Sequence, residues 1–204
     1  MLVKICGITR VEDALAAARG ARAIGFVFWP SSPRFIDPFR ARAIAASLPP
    51  FVTAVGVFVN QPADYVNQVA SLVRLGAVQL HGNESASYVS AINRPVIKAV
   101  PVGDDGSEPI ADAWPSHVTL LLDALDSVKR GGTGQTIDWT RAAPIAAARP
   151  VMLAGGLTPE NVIGAIRTVR PFGIDVSSGV ERSPGVKDHV RLDALFEAVA
   201  AEKP

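Results

Sequence analysis

The chain has one cysteine, Cys6, at the end of the short apolar run "LVKIC" and directly before Gly7. A lone cysteine is ordinarily a small, inert, buried residue. At a strand end, a thiol can also serve as a base or nucleophile once ionised. Strand alternation puts Leu2, Lys4 and Cys6 on one face and Val3 and Ile5 on the other. If the apolar pair faces covering helices, Lys4 and Cys6 point to the opposite side, which favours function. A second candidate is Asp123, which follows "TLLL" and precedes the Gly-rich stretch "LDSVKRGGTGQTIDW". A carboxyl group there is either a turn cap or an acid placed for chemistry, since burying it unpaired is costly. A thiol and a carboxyl group facing each other can perform general acid–base catalysis.

Other polar residues sit at comparable places. Arg34 lies in "WPSSPRFIDP", braced by Pro30 and Pro33, where a guanidinium could take a carboxylate bidentately. Gln79 and His81 end "VQLHG"; a single histidine is most simply a hydrogen-bonded structural residue. His117 and His189 lie elsewhere, no cluster has metal-ligand spacing, and a metal site is not expected. Lys98 in "VIKAV" raises a Schiff-base chemistry, against the simpler reading of a buried, paired or snorkelling lysine. Two turns, "LAGGLTPENV" with Gly155 and Gly156 and "DVSSGVERSPG" with Ser177, Ser178 and Gly179, offer backbone N–H groups to a phosphate.

The elements that must position these groups are legible as eight brief runs rich in branched residues: "LVKIC", "AIGFVF", "VTAVGVFV", "AVQL", "VIKAV", "TLLLD", "VMLA" and "GIDV". Most are apolar on both faces, as parallel strands covered by helices are. Amphipathic stretches separate most of them. Helix starts are expected from Thr9 with Glu12 as a capping box, from Asp37-Pro38, from Pro62 and from Thr158-Pro159. Gly76 is expected to end the third helix, in which Val66, Val69, Ala70 and Val73 share a face. The fifth segment, "EPIADAWP", is a weak helix, and the last, "VRLDALFEAVAAE", is a good one. Eight strand–helix units in 204 residues predict a small α/β protein, a (β/α)8 barrel spanning 1–204 as one domain. An open doubly wound sheet is the alternative. In such barrels chemistry sits at the C-terminal strand ends, and the turns after strands seven and eight often hold phosphate.

Composition narrows the class. With 20 basic and 19 acidic residues the formal charge is +1, so the electrostatic footprint of a nucleic-acid binder is missing. Nearly half of the residues are hydrophobic, enough for a full core, yet no apolar run reaches membrane-spanning length. Lys4 interrupts the N-terminal apolar run, unlike a signal peptide. With the two glycine-rich turns, these features lead to the expectation of a cytoplasmic protein acting on a small phosphorylated molecule, without nucleic-acid or membrane partners and without metal or organic cofactor, with monomer or homodimer left open.

In sequence order, "KICGIT", "GFVFWPSSPRFI", "VGVFVN", "VQLHG", "LLLDA…GGTG…DW", "LAGGLTPENV" and "DVSSGVE…PGVKD" resemble phosphoribosylanthranilate isomerases from end to end. The resemblance implies the (β/α)8 fold and the cofactor-free Amadori rearrangement of N-(5-phosphoribosyl)anthranilate in tryptophan biosynthesis. By that resemblance Cys6 is the general base and Asp123 the general acid, while Arg34 binds the anthranilate carboxylate. His81 and Asp175 line the pocket, and Gly155, Gly156, Ser178 and Gly179 grip the phosphate. Gly131, Gly132, Thr133 and Gly134 form a flexible loop over the substrate. Lys4, on the face of Cys6, is expected to raise the thiolate share, and Gly7 to leave the thiol exposed. The chain reads "AGGL" where the family commonly reads "SGGL", which removes a hydroxyl but keeps the backbone amides. Rival readings are a histidine-pathway isomerase, expected to carry a carboxylate in place of Cys6, and a non-catalytic phosphate-binding barrel.

Overall fold

A computed structural model of the chain describes residues 1–102, 113–124 and 137–202. Eight short strands form in the apolar runs: β1 (Leu2–Ile5), β2 (Ala23–Val27), β3 (Thr53–Phe58), β4 (Ala77–Leu80), β5 (Val96–Val102), β6 (Thr119–Ala124), β7 (Val151–Leu153) and β8 (Gly173–Val176). Each pairs in parallel with the next, and β8 pairs with β1 in the register Lys4 opposite Asp175, so the sheet closes on itself. Closure rules out the open doubly wound sheet and makes the molecule an eight-stranded α/β barrel.

The helices cover the outside. They are α1 (Val11–Ala17), α2 (Pro38–Ala45), α3 (Ala63–Val73), α4 (Trp139–Ala148), α5 (Val162–Val169) and α6 (His189–Ala201), with a 3₁₀ turn at Ala86–Ala91 between β4 and β5. Val3, Ile5, Ile24, Phe26, Phe58 and Leu122 point from the strands into one continuous core with helix residues such as Val66, Ala165 and Leu192. Inside the barrel a smaller plug of Ala99, Leu121, Met152 and Ala154 fills the floor. Cys6, Val27 and Val57 pack together higher up, against Trp29. After β8 the chain makes a 3₁₀ turn, Ser178–Val180, and an antiparallel hairpin, β9 (Glu181–Ser183) and β10 (Val186–Lys187), before entering α6.

Local signals held where no distant group competed. Asp37 caps α2, accepting from the N–H groups of Phe39 and Arg40, with Pro38 in the first turn. Elsewhere tertiary partners took over. Thr9 does not cap α1: its hydroxyl donates to the Gly185 carbonyl at 2.6 Å, and Glu12 pairs with Arg10. Gly76 does not end α3, because Arg74 already adopts the left-handed conformation at φ 60°. The Gly76 N–H instead donates to the Ala54 carbonyl, leading into β4. Regular helix α5 starts at Val162 rather than after Thr158, and Asn161 bridges the Thr158 N–H and the Gly156 carbonyl. The expected helix around 108–115 falls largely outside the described residues.

Candidate active site

The C-terminal ends of the strands surround a cavity of about 700 Å³. Cys6 stands on its wall, one residue past β1. The Cys6 N–H donates to the Val176 carbonyl at 2.9 Å, so the residue is still held by the ladder. At Gly7 the backbone turns away with φ +76°, and both Gly7 and Ile8 donate to the Gly25 carbonyl. Any side chain at position 7 would suffer twice, since a Cβ there would lie 2.5 Å from Arg34 Cδ. Cys6 is only 8 % exposed, so its thiol faces the cavity rather than bulk solvent, which corrects the expectation of an exposed group.

Beneath it, Lys4 Nζ pairs with Asp175 Oδ2 at 2.7 Å, both side chains being buried. Burial pushes the Cys6 thiol above its ordinary pKa, outweighing the downward pull of Lys4. Asp175 raises it further, and Lys187 lowers it. The expected thiolate enrichment by Lys4 is therefore only a partial offset. Burial also disfavours the charge on Lys4, but the nearby Asp175 and Cys6 hold it above the usual lysine value.

On the opposite wall, Asp123 Oδ1 accepts from the Ala124 N–H at 2.8 Å and Oδ2 lies 3.1 Å from His81 Nε2. His81 Nδ1 is 2.9 Å from Gln79 Nε2. With Gln79 Nε2 as donor, His81 Nδ1 accepts and the imidazole proton lies on Nε2, facing Asp123. Two buried acceptors on the cavity lining, Gln79 Oε1 and Asp175 Oδ1, have no protein partner among the described residues.

Arg34 also lines the cavity, but its guanidinium is held by Glu181. Nε lies 2.9 and 3.1 Å from the two carboxylate oxygens, and Nη2 lies 2.7 Å from Oε2. Glu181 in turn accepts from Lys187 Nζ at 2.8 Å. Neither Glu181 nor Lys187 was singled out from sequence. The only signal was their place in "DVSSGVE…PGVKD", which carries no local chemistry.

At one end of the cavity Gly155 (φ +80°), Gly156 (φ +59°), Ser177 and Ser178 come together. Gly179 lies just behind this wall rather than on it, so close to Leu157 that a Cβ would collide with the Leu157 carbonyl. The cavity thus unites Cys6, Arg34, His81, Asp123, Gly155, Gly156, Asp175 and Ser178. Gly131, Gly132, Thr133 and Gly134 lie outside the described residues. Lys98 is elsewhere: its Nζ pairs with Glu84 at 2.8 Å, donates to the Gly82 carbonyl, and sits over the Trp114 ring. Among the described residues no cluster of three His, Cys, Asp or Glu side chains is arranged to hold a metal, and no helix is long and apolar enough to cross a membrane.

A closed parallel barrel with a thiol, a carboxyl group and glycine-rich turns at its strand ends has the architecture of the (β/α)8 enzymes. The sequence model of N-(5'-phosphoribosyl)anthranilate isomerase matches residues 3–198, and the chain belongs to that family. A relative of that name from Pseudomonas fluorescens (strain Pf0-1) is 49 % identical over 198 residues, covering 96 % of this chain and 97 % of the relative. The crystal structure of the Thermus thermophilus phosphoribosyl anthranilate isomerase superimposes with a TM-score of 0.89 at 45 % identity, over 98 % of this chain and 99 % of that one. A further phosphoribosyl anthranilate isomerase, solved with reduced 1-(o-carboxyphenylamino)-1-deoxyribulose 5-phosphate, superimposes with a TM-score of 0.87 at 43 % identity, over 99 % of this chain and 100 % of that one.

Proposed function

We propose that this chain, as a single-domain cytoplasmic enzyme of tryptophan biosynthesis, rearranges N-(5'-phosphoribosyl)anthranilate to 1-(2-carboxyphenylamino)-1-deoxyribulose 5-phosphate. Asp123 is the general acid and Cys6 the general base. The observation that carries the reading is that these two groups open onto one cavity from β1 and β6, on opposite walls of the barrel. A substrate between them can be protonated from one side and deprotonated from the other.

Protonated Asp123 donates to the ribose ring oxygen as the C1′–O bond breaks, and the anthranilate nitrogen lone pair forms the iminium. The positive nitrogen acidifies the C2′ proton, which the Cys6 thiolate removes to leave the enolamine. C1′ then takes a proton while the C2′ hydroxyl gives one up, leaving the ketone, so no electrons are gained or lost overall. The ionised thiol is disfavoured by burial, and Lys4 and Lys187 offset part of that cost. Arg34 presents to the anthranilate carboxylate the Nη1 that Glu181 leaves free. The orphan acceptors Asp175 Oδ1 and Gln79 Oε1 take ribosyl hydroxyls, which removes their desolvation penalty. Backbone N–H groups of Gly155, Gly156 and Ser178 hold the phosphate, with Gly179 allowing the close approach of the two turns.

The test is turnover of freshly prepared substrate, followed by loss of its anthranilate fluorescence, for wild type, Cys6→Ser and Asp123→Asn, with chelator added to one wild-type sample. Chelator-resistant activity lost in both folded variants is the expected result. A folded wild type that binds phosphate esters without turnover would replace the isomerase by a binding barrel. A histidine-pathway isomerase is disfavoured by the thiol at the first strand end.

A further inference from the structure

The barrel and its helices account for the fold without the small hairpin β9–β10, yet that hairpin carries two ionic side chains buried among the site residues. Lys187 Nζ has three donors. They go to the Cys6 carbonyl at 2.6 Å, the Ser177 carbonyl at 3.1 Å and Glu181 Oε1 at 2.8 Å. Every donor is used by the protein and the residue is 2 % exposed, so Lys187 has nothing left for a substrate. The two carbonyls lie just past the ends of β1 and β8, and they also accept from Ser177 Oγ at 3.2 Å and from the Val180 N–H at 3.4 Å, respectively. A buried ammonium therefore ties together the strand end that bears the thiol and the turn that bears Ser178.

Glu181 is saturated in the same way. Its Oε1 accepts from Lys187, from Arg34 Nε and from the Gly185 N–H at 3.2 Å, and its Oε2 accepts from Arg34 Nη2. Two basic side chains surround one carboxylate beside the cavity that Arg34 lines, and burial pulls Lys187 below the usual lysine value. The hairpin is itself anchored: Thr9 donates to the Gly185 carbonyl, and the Lys187 N–H donates to the buried Asp13 at 3.0 Å.

We infer that Glu181 and Lys187 are positioning residues, Lys187 setting the placement of the Cys6 strand end and Glu181 the placement of Arg34. This rests on the functional reading above and adds two residues to it. The hairpin thereby fixes the thiol and the arginine relative to each other, so that a substrate anchored by its carboxylate presents its C2′ proton to Cys6. A displacement of about 1 Å at such a site costs on the order of 10²-fold in rate.

The test measures three proteins, wild type, Glu181→Gln and Lys187→Met, on two substrates: phosphoribosylanthranilate and the N-phosphoribosyl derivative of aniline, which lacks the carboxylate. Glu181→Gln is expected to raise KM for the first by roughly tenfold, the worth of one charge-assisted hydrogen bond, with a smaller change in kcat. On the aniline substrate its kcat/KM should fall by a clearly smaller factor, because only the Glu181–Lys187 contact is then felt. Lys187→Met is expected to lower kcat on both substrates by about 10²-fold. It should also move the pH profile of Cys6 alkylation upward, since Lys4 and Asp175 remain beside the thiol while one cation is lost. Equal losses of Glu181→Gln on both substrates, or an unshifted alkylation profile in folded Lys187→Met, would overturn the positioning roles. If Lys187→Met does not fold, the two-substrate comparison of Glu181→Gln decides alone. A wild type inert on phosphoribosylanthranilate defeats the functional reading instead, an outcome separate from any of these.

Discussion

The two walls of the cavity are built on different principles. The thiol wall is ionic and closed: Lys4 pairs with Asp175, and Lys187, Glu181 and Arg34 form a continuous chain of charges behind Cys6. The acid wall is polar: Asp123 is held by the Ala124 N–H and by an imidazole whose orientation Gln79 sets, and no lysine or arginine pairs with it among the described residues. The difference suits the two roles proposed for Cys6 and Asp123. A base that must ionise in a buried place needs fixed positive charge nearby, whereas a fixed cation beside an acid would favour the form that has already lost its proton.

The largest effects should come from removing either group itself. Cys6→Ser and Asp123→Asn are each expected to lower kcat by roughly 10²–10⁴-fold while circular dichroism stays that of the wild type. A variant retaining most of its activity would take its residue out of the chemistry. Stability should separate the walls next. Lys4→Met strands the buried Asp175 carboxylate and is expected to cost about 3–5 kcal/mol in urea unfolding. Gln79→Met removes a neutral partner of His81 and should cost about 1–3 kcal/mol. Equal losses would mean that the ionic and polar walls do not differ in how they are held.

The smallest effect is in the pH dependence of stability. Glu181 is buried, which alone would raise its pKa, but Arg34 and Lys187 hold it below the usual carboxylate range. A folded pKa below the unfolded one contributes stability above the unfolded value, near about 4.3, and loses it as pH falls through the folded value. Lys4 has the opposite sign: its folded pKa is raised, so its contribution is full below the ordinary 10.5 and is lost as pH rises through the folded value. Glu181→Gln should therefore flatten the acid arm of a stability–pH curve. Urea midpoints across that range would show it, and an unchanged acid arm would mean that Glu181 is not held by its two cations.

Much of the molecule was legible in the residues. Short branched runs are strands because they are buried on both faces, and all eight apolar runs became barrel strands. The inward face of Cys6 followed from alternation, and the cap at Asp37 from chemistry complete within three residues. Thr9 failed as a cap because a carbonyl 176 positions away, on Gly185, took its hydroxyl. Arg34 was expected to be free for a ligand carboxylate, but Glu181, 147 positions away, holds most of its fork. No local pattern encodes such pairs.

Sequence alone thus determined the strand count, the apolar faces and which reactive side chains end the strands, since these depend on a few consecutive residues and the two-residue period of a strand. Tertiary structure decided the electrostatics. Closing the barrel through β8 and β1 set Asp175 against Lys4, and folding the hairpin back set Lys187 and Glu181 behind Cys6 and Arg34. Charge interactions depend on distance through space and on burial, and neither is defined until the chain has closed on itself.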